Sequence, residues 1–355
     1  SSFGMGIAPD LEIFVLMRFL SGIGVGMASM LSPMYIAEIS PAHVRGRNVA
    51  INQLTIVIGI LITNLVNYKL SSLGEDSWRW MFGLGVVPSL LFLIGIVWLP
   101  ESPRWLIAKG RLEEARAVLL RFGNSTVVDK TMVEVVQSNK EASPISFKEV
   151  LYKSVRPAVV VGVTLAIFQQ FCGINVVFNY TSTIFESIGA SLDQQLFETV
   201  SIGIVNLLFT LVAMWQVDRL GRRPLMLIGS LGLAITYVVL AFLLQNQLSS
   251  VMVSIFVLLS ISVYATSLAP VTWVLISEIF PNRVRGMATS LAMVALWSAY
   301  FILVFTFPIL AEKLGTYGPF YLYAAICVFG FVFVLRKVKE TKGQTLEELE
   351  GNFRH

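Results

Sequence analysis

The sequence predicts an all-α membrane protein, and three observations predict it. Nine apolar runs are each long enough to cross a bilayer. One nine-residue motif recurs 240 residues further along the chain. Lysine and arginine fall almost entirely in alternate loops. Composition agrees, with 55% hydrophobic and 14% charged residues and a mean hydropathy of +0.75. A soluble domain carries about 25% charged residues, so this chain cannot cover its surface with polar groups and must use lipid as solvent.

The runs are 13–37, 48–68, 80–99, 157–180, 195–217, 224–245, 251–277, 287–311 and 317–337. Each approaches the roughly 20 residues that a spanning helix needs. All should be helical, because hydrocarbon offers the backbone no hydrogen-bond partner. The first run carries Gly22, Gly24, Gly26 and Ala28, small residues that permit close helix approach, and one cation, Arg18. The second holds Gln53, the fourth Gln169 and Gln170, the fifth Asn206 and the seventh Trp273. Gln169 and Gln170 point about 100° apart on a helix, so they cannot both serve one helix contact. Asn175 lies on yet another face of an ideal helix. It can meet Gln169 only if the chain unwinds at Gly173-Ile174-Asn175.

The repeat organises the chain. Glu38-Ile39-Ser40-Pro41-Ala42-His43-Val44-Arg45-Gly46 returns as Glu278-Ile279-Phe280-Pro281-Asn282-Arg283-Val284-Arg285-Gly286. Glu101, after Pro100, and Glu340, in Lys339-Glu340-Thr341, keep nearly the same interval. Two copies of one membrane unit are a signature of transporters. Extrapolating the repeat starts the first copy about 85 residues before Ser1. Nine of twelve spans, six plus six, are therefore expected here. Residues 1–100 form the C-terminal part of the first half, 101–156 a cytoplasmic linker, 157–338 the second six-helix half and 339–355 a tail. In the linker, Leu112, Ala115, Leu119 and Leu120 recur near helical spacing, with Glu113, Glu114, Arg116 and Arg121 on other faces. The tail 341–350 predicts another short helix.

The loops after the first, third, fifth and seventh runs, with the tail, hold 22 of the 26 lysines and arginines. That side is cytoplasmic, and the net charge of +4 reflects this bias. Nucleic acid is not an expected partner. Cys172 and Cys327 both lie in spans, which argues against a disulfide framework. His43 and His355 are the only histidines, which argues against a metal site. No nucleophile constellation or phosphate loop appears, so neither an enzyme nor a cofactor is expected. Acids and bases instead gather at the cytoplasmic helix ends: Glu38 with Arg45, Glu101 with Arg104, Asp218 with Arg222 and Arg223, and Glu278 with Arg285. Charges at this depth demand partners. Symmetric pairs can latch the cytoplasmic side shut in one state and part in the other.

Several of these motifs together carry a resemblance: Asp218-Arg219-Leu220-Gly221-Arg222-Arg223, Pro100-Glu101-Ser102-Pro103-Arg104, the doubled Glu-Ile-x-Pro-x-x-Val-Arg-Gly, and Phe168-Gln169-Gln170-Phe171-x-Gly173-Ile174-Asn175. In this order they resemble the sugar porter family of the major facilitator superfamily, bacterial sugar–proton symporters above all. The resemblance covers the whole chain. It implies the major facilitator fold, alternating access and a neutral monosaccharide, pentose or hexose, as substrate. By motif, Gln53, Gln169, Gln170, Asn175, Asn206 and Trp273 match family sugar-binding positions. Their chemistry suits a sugar: amides serve adjacent hydroxyls, and an indole offers a face to C–H bonds. The resemblance also implies a discontinuous seventh helix that closes an outer gate near Asn179 and Tyr180, where Asn179 replaces a common Tyr. Ala269, Leu296 and Tyr300 are further departures, and they leave the sugar's identity open. In proton-coupled relatives, the arginine matching Arg18 faces a carboxylate on the first helix. The expected activity is proton symport by a monomer in the bacterial inner membrane. A facilitative uniporter and a non-transporting sugar sensor are the alternatives. A fragment lacking three helices should be inactive alone.

Overall fold

The computed structural model describes residues 1–40, 45–121, 155–280 and 284–341, together with 128, 132 and 152. The described residues are helical apart from short connections. Among the described residues, nine helical stretches are long and apolar enough to span a membrane, and each corresponds to one of the nine apolar runs. The chain divides into two compact units, Ser1–Pro144 and Ile145–His355.

The first unit opens with α1 (Ser2–Gly6) and α2 (Leu11–Ile39). Asp10 caps α2, accepting a hydrogen bond from Ile13 N at 2.8 Å, and so satisfies one of the free amides at the helix start. Then come α3 (Arg45–Leu70), α4 (Ser77–Gly83) and α5 (Val86–Trp98). The third apolar run is thus two helices. Pro88 has no N–H to give, and its ring crowds the carbonyl of Leu84, where the chain breaks. Arg79 ties this region together, donating to Ala8 O at 2.6 Å while stacking on Trp78 at 4.5 Å.

Two short helices follow, α6 (Pro103–Ala108) and α7 (Leu112–Leu120). Their small core is Leu106, Ile107, Ala115 and Val118, with Met132 against it. This shifts the predicted stripe. Ala115, Val118 and Leu119 face inward, whereas Leu112 and Leu120 are exposed. Arg111 grips Glu114 through two nitrogens at 2.7 and 2.6 Å, which sets the acid in the first turn, where the helix dipole favours it. Apart from residues 128, 132, 152, 155 and 156, the rest of the linker lies outside the described residues, as do residues 342–350 of the predicted tail helix.

The second unit holds α8 (Arg156–Phe171), α9 (Ile174–Asn179), α10 (Thr181–Glu186), α11 (Leu192–Leu220), α12 (Arg222–Gln245), α13 (Ser250–Thr266), α14 (Leu268–Ile279), α15 (Arg285–Leu314) and α16 (Gly318–Lys337). It has a true core: 67% of the apolar window in Arg156–Asn179 is buried, against 0% for Leu11–Ile36. Tyr237, Phe320 and Tyr323 form its aromatic centre, with ring centroids 5.7 to 6.5 Å apart. In the first unit the apolar side chains of α2 and α5, among them Phe19, Leu91 and Trp98, point outward, as lipid-facing or helix-facing residues do.

Candidate functional site

The site is built on interrupted helices. Helix α8 ends at Phe171, and Gly173 then takes φ +87°, a left-handed conformation that glycine adopts without a Cβ penalty. A side chain there would also strike Tyr323, whose Cγ and Cδ2 lie 2.5 Å from the place of a Cβ. The chain restarts as α9 and breaks again at Tyr180 (φ −120°, ψ 25°). The span beginning at Ser250 is interrupted too. Ser267 leaves helical geometry (φ −128°, ψ −85°) just before Pro270, whose ring would crowd the carbonyl of Thr266.

The first break lets residues from different faces of one helix meet. Asn175 Nδ2 donates to Gln170 Oε1. Gln170 Nε2 donates to Gln169 Oε1 at 2.7 Å. Gln169 Nε2 donates to the Tyr264 hydroxyl, on α13, at 2.6 Å. The result is an unbroken ladder Asn175–Gln170–Gln169–Tyr264, with both glutamines and Tyr264 buried. Instead of diverging, the adjacent glutamines bond each other. Among the described residues each amide nitrogen makes one of these bonds, which leaves it a second N–H, and the Asn175 side-chain oxygen takes no part in the ladder. The ladder therefore presents both donors and acceptors, as a polyol requires, and none of these groups is ionised. Tyr264 was not legible beforehand, because it sits in an apolar run where a ring reads as packing.

At the C-terminal end of α9, Asn179 donates to Asn175 O at 2.6 Å and to the Tyr300 hydroxyl at 3.1 Å. The Tyr180 hydroxyl donates to Val304 O at 2.9 Å, and its ring lies 4.7 Å from Phe307. Both gate candidates are thus fastened to α15. Asn206 is buried on α11, and Trp273 stands 37% exposed on α14. Gln53, half-buried on α3, and Arg18, exposed on α2, belong to the first unit. The Arg18 guanidinium lies over the Phe82 ring at 5.3 Å, within cation–π range.

Of the charged latch candidates, Glu101 is exposed after Pro100. Arg222 opens α12. The side chains of Glu38, Arg45, Arg104, Asp218, Glu278 and Arg285 lie outside the described residues, although their backbones sit on helices. One acid absent from the candidate set does find a role. Glu340 receives Arg222 N at 2.9 Å and Arg223 N at 3.0 Å, one carboxylate oxygen on each. It thus caps α12 with a full charge, where the helix dipole is most positive. A side chain at Gly221 would collide with that carboxylate. The signal was present in the sequence: Glu340 stands one residue short of the repeat mate of Glu101.

Comparison with known proteins agrees with this architecture. A family model described as "Sugar (and other) transporter" matches residues 1–353. The D-xylose-proton symporter of Escherichia coli strain K12 is 40% identical over 358 residues, covering 98% of this chain and 72% of its own length. A glucose transport protein of Synechocystis is 38% identical over 377 residues, covering 98% of this chain and 80% of its own. The solved structure of the major facilitator superfamily proton:xylose symporter XylE, bound to 6-bromo-6-deoxy-D-glucose, superposes with a TM-score of 0.83 at 39% identity. That match covers 96% of this chain and 74% of the other.

Proposed function

This chain belongs to the sugar (and other) transporter family, and from that premise we propose that it moves a neutral monosaccharide across a bacterial cytoplasmic membrane by alternating access, in symport with protons. The carrying observation is the ladder Asn175–Gln170–Gln169–Tyr264 beside the break at Gly173. Uncharged amides with spare donors and acceptors match a ring of hydroxyls and would serve an ion badly. Gln53, Asn206 and Trp273 complete the proposed sugar contacts, the indole covering the C–H face. Relatives named for xylose and for glucose support the sugar class and leave the choice between pentose and hexose to experiment. Family and fold speak for transport without chemistry, so the chain is no enzyme.

Arg18 is the proposed coupling group. A cation at membrane depth is costly unless a carboxylate neutralises it. Protonating that carboxylate frees the arginine and permits the change of state. Asn179 and Tyr180 form the proposed outer gate, and their bonds to α15 must part for it to open. The proposed cytoplasmic latch pairs Glu38 with Arg45, Glu101 with Arg104, Asp218 with Arg222, and Glu278 with Arg285. In Arg285→Ala, cysteines introduced on the cytoplasmic side should label faster; an unchanged rate would remove the latch. The protein is expected to work as a monomer.

The deciding test is uptake in proteoliposomes of xylose, glucose, galactose and arabinose, with and without an inward proton gradient. Accumulation above equilibrium that requires the gradient supports symport. Uptake that only equilibrates identifies a uniporter and leaves Arg18 with a structural role. Gln169→Ala should abolish sugar binding, and unchanged binding would remove Gln169 from the site.

A further inference from the structure

Tyr264 lies near the end of α13, three residues before the break at Ser267, with its ring 8% exposed. Its hydroxyl accepts the Gln169 amide at 2.6 Å and forms the last rung of the ladder. We propose that Tyr264 is a positioning residue for Gln169 and that it thereby sets which pattern of sugar hydroxyls the site accepts. This rests on the assignment of Gln169 to the sugar site.

The reason is the hydrogen-bond sense of an amide. The oxygen and nitrogen of a glutamine are told apart by their partners alone. Gln169 has two partners here. Gln170 presents a donor to one of its atoms, and Tyr264 occupies the other. With both in place Gln169 is held in one rotamer, and with its donor turned to Tyr264 its remaining N–H has one direction. Each member of the ladder orients the next, so the constraint extends through Gln170 to Asn175. A phenyl ring at 264 would keep the packing but leave one end of a buried amide without its bond. Gln169 could then turn.

Epimeric sugars carry the same groups in different directions. An amide whose N–H is held in one direction separates axial from equatorial hydroxyls; an amide free to turn serves both. The hydroxyl of Tyr264 therefore acts on selectivity more than on affinity in general. The ring alone supplies whatever apolar contact exists, so hydroxyl and ring can be tested separately.

The test is calorimetric binding of a sugar panel (D-xylose, D-glucose, their epimers and deoxy analogues) to the whole protein in detergent. Wild type, Tyr264→Phe and Gln169→Ala are compared. Tyr264→Phe should weaken the preferred sugar by roughly 10-fold, the worth of about one hydrogen bond. It should weaken the disfavoured epimers less, so that the spread across the panel narrows by a similar factor. A merely structural role would lower affinity for every sugar by one common factor. That result, or an unchanged panel, overturns the inference if Gln169→Ala still abolishes binding. Should Gln169→Ala bind normally, the site assignment falls and the inference falls with it. If Tyr264→Phe does not fold, Gln169→Asn tests the same bond from the other side by drawing the amide away from the hydroxyl. A wild-type spread in that variant overturns the proposal; a narrowed one supports it.

Discussion

Gly173→Ala should be among the most damaging single-methyl additions in the second unit, and the structure separates its cost into two parts. The first is conformational. At φ +87° an alanine pays the left-handed penalty, roughly 1–2 kcal/mol. The second is steric. The new Cβ would stand 2.5 Å from Cγ and Cδ2 of Tyr323 and 2.8 Å from its Cβ. Tyr323 is 2% exposed and packed on Tyr237 and Phe320, so its ring has nowhere to swing. Forced overpacking of this kind costs roughly 1–3 kcal/mol. The sum is about 2–5 kcal/mol. At about 2–4 °C per kcal/mol for a unit of this size, the melting temperature should fall by roughly 4–20 °C.

Gly189 supplies the control. It has φ +78° and nothing within 4 Å of a built Cβ, so Gly189→Ala pays the conformational part alone, roughly 2–8 °C. The double variant Gly173→Ala with Tyr323→Leu removes the ring and should recover part of the loss. The chain carries its own reporter. Its two cysteines, Cys172 and Cys327, are both fully buried. A thiol-reactive dye therefore stays dark until the second unit opens on heating in detergent. If Gly173→Ala melts no lower than Gly189→Ala, the clash with Tyr323 is not real and the account of the break is wrong.

Other expectations follow from single contacts. Glu340→Ala removes the charged cap from α12 and should cost about 1–2 kcal/mol, with Glu340→Gln losing less; thermal melting of both variants checks this. Tyr180→Phe keeps the ring against Phe307 but loses the bond to Val304 O, worth about 1 kcal/mol; faster labelling of an outer-side cysteine would report loosening of the proposed gate. The hydrogen bond from Arg111 holds the Glu114 carboxyl below its ordinary value. The stabilisation of α7 is therefore present above the ordinary carboxylate range and lost as pH falls through the lowered value. Amide exchange in α7 should quicken, relative to its intrinsic rate, on acidification in the wild type, but not in Glu114→Gln.

Much of the fold was legible because a bilayer simplifies the reading. All nine apolar runs correspond to helical stretches long and apolar enough to cross a bilayer, as hydrocarbon requires of the backbone. The breaks were harder. The one at Gly173 could be anticipated from glycine followed by a β-branched residue and from the need to bring Asn175 to the same side as the glutamines. The ones at Leu84–Gly85 and Ser267 depend on prolines three or four residues downstream. Yet Pro33 and Pro308 sit inside continuous helices, so proline alone did not locate them. Side-chain pairing was least legible. An amide announces that it needs a partner but not which one. Nothing in an apolar run distinguishes a tyrosine that packs, such as Tyr237, from one that terminates a polar ladder, such as Tyr264.

The link between break and ladder explains why both occur in the same few residues. In an unbroken helix, residues 169, 170 and 175 point in three directions. Two buried amides and a half-buried one would then need separate partners in a largely apolar core. Each unsatisfied group would cost roughly 1–3 kcal/mol. Breaking the helix at Gly173 forfeits regular backbone hydrogen bonds but joins the three amides to one another. It also leaves them with spare donors that a ligand can take without stripping the protein of its own bonds. The same break gives α9 its own short connection to α15 through Asn179 and Tyr180. A ligand that reorganises the amides pulls directly on Asn175. Asn179 is bonded to the backbone of Asn175, one turn away. On the proposed assignments, sugar recognition and movement of the outer gate would be one mechanical event, because the same short helix bears Asn175 and Asn179.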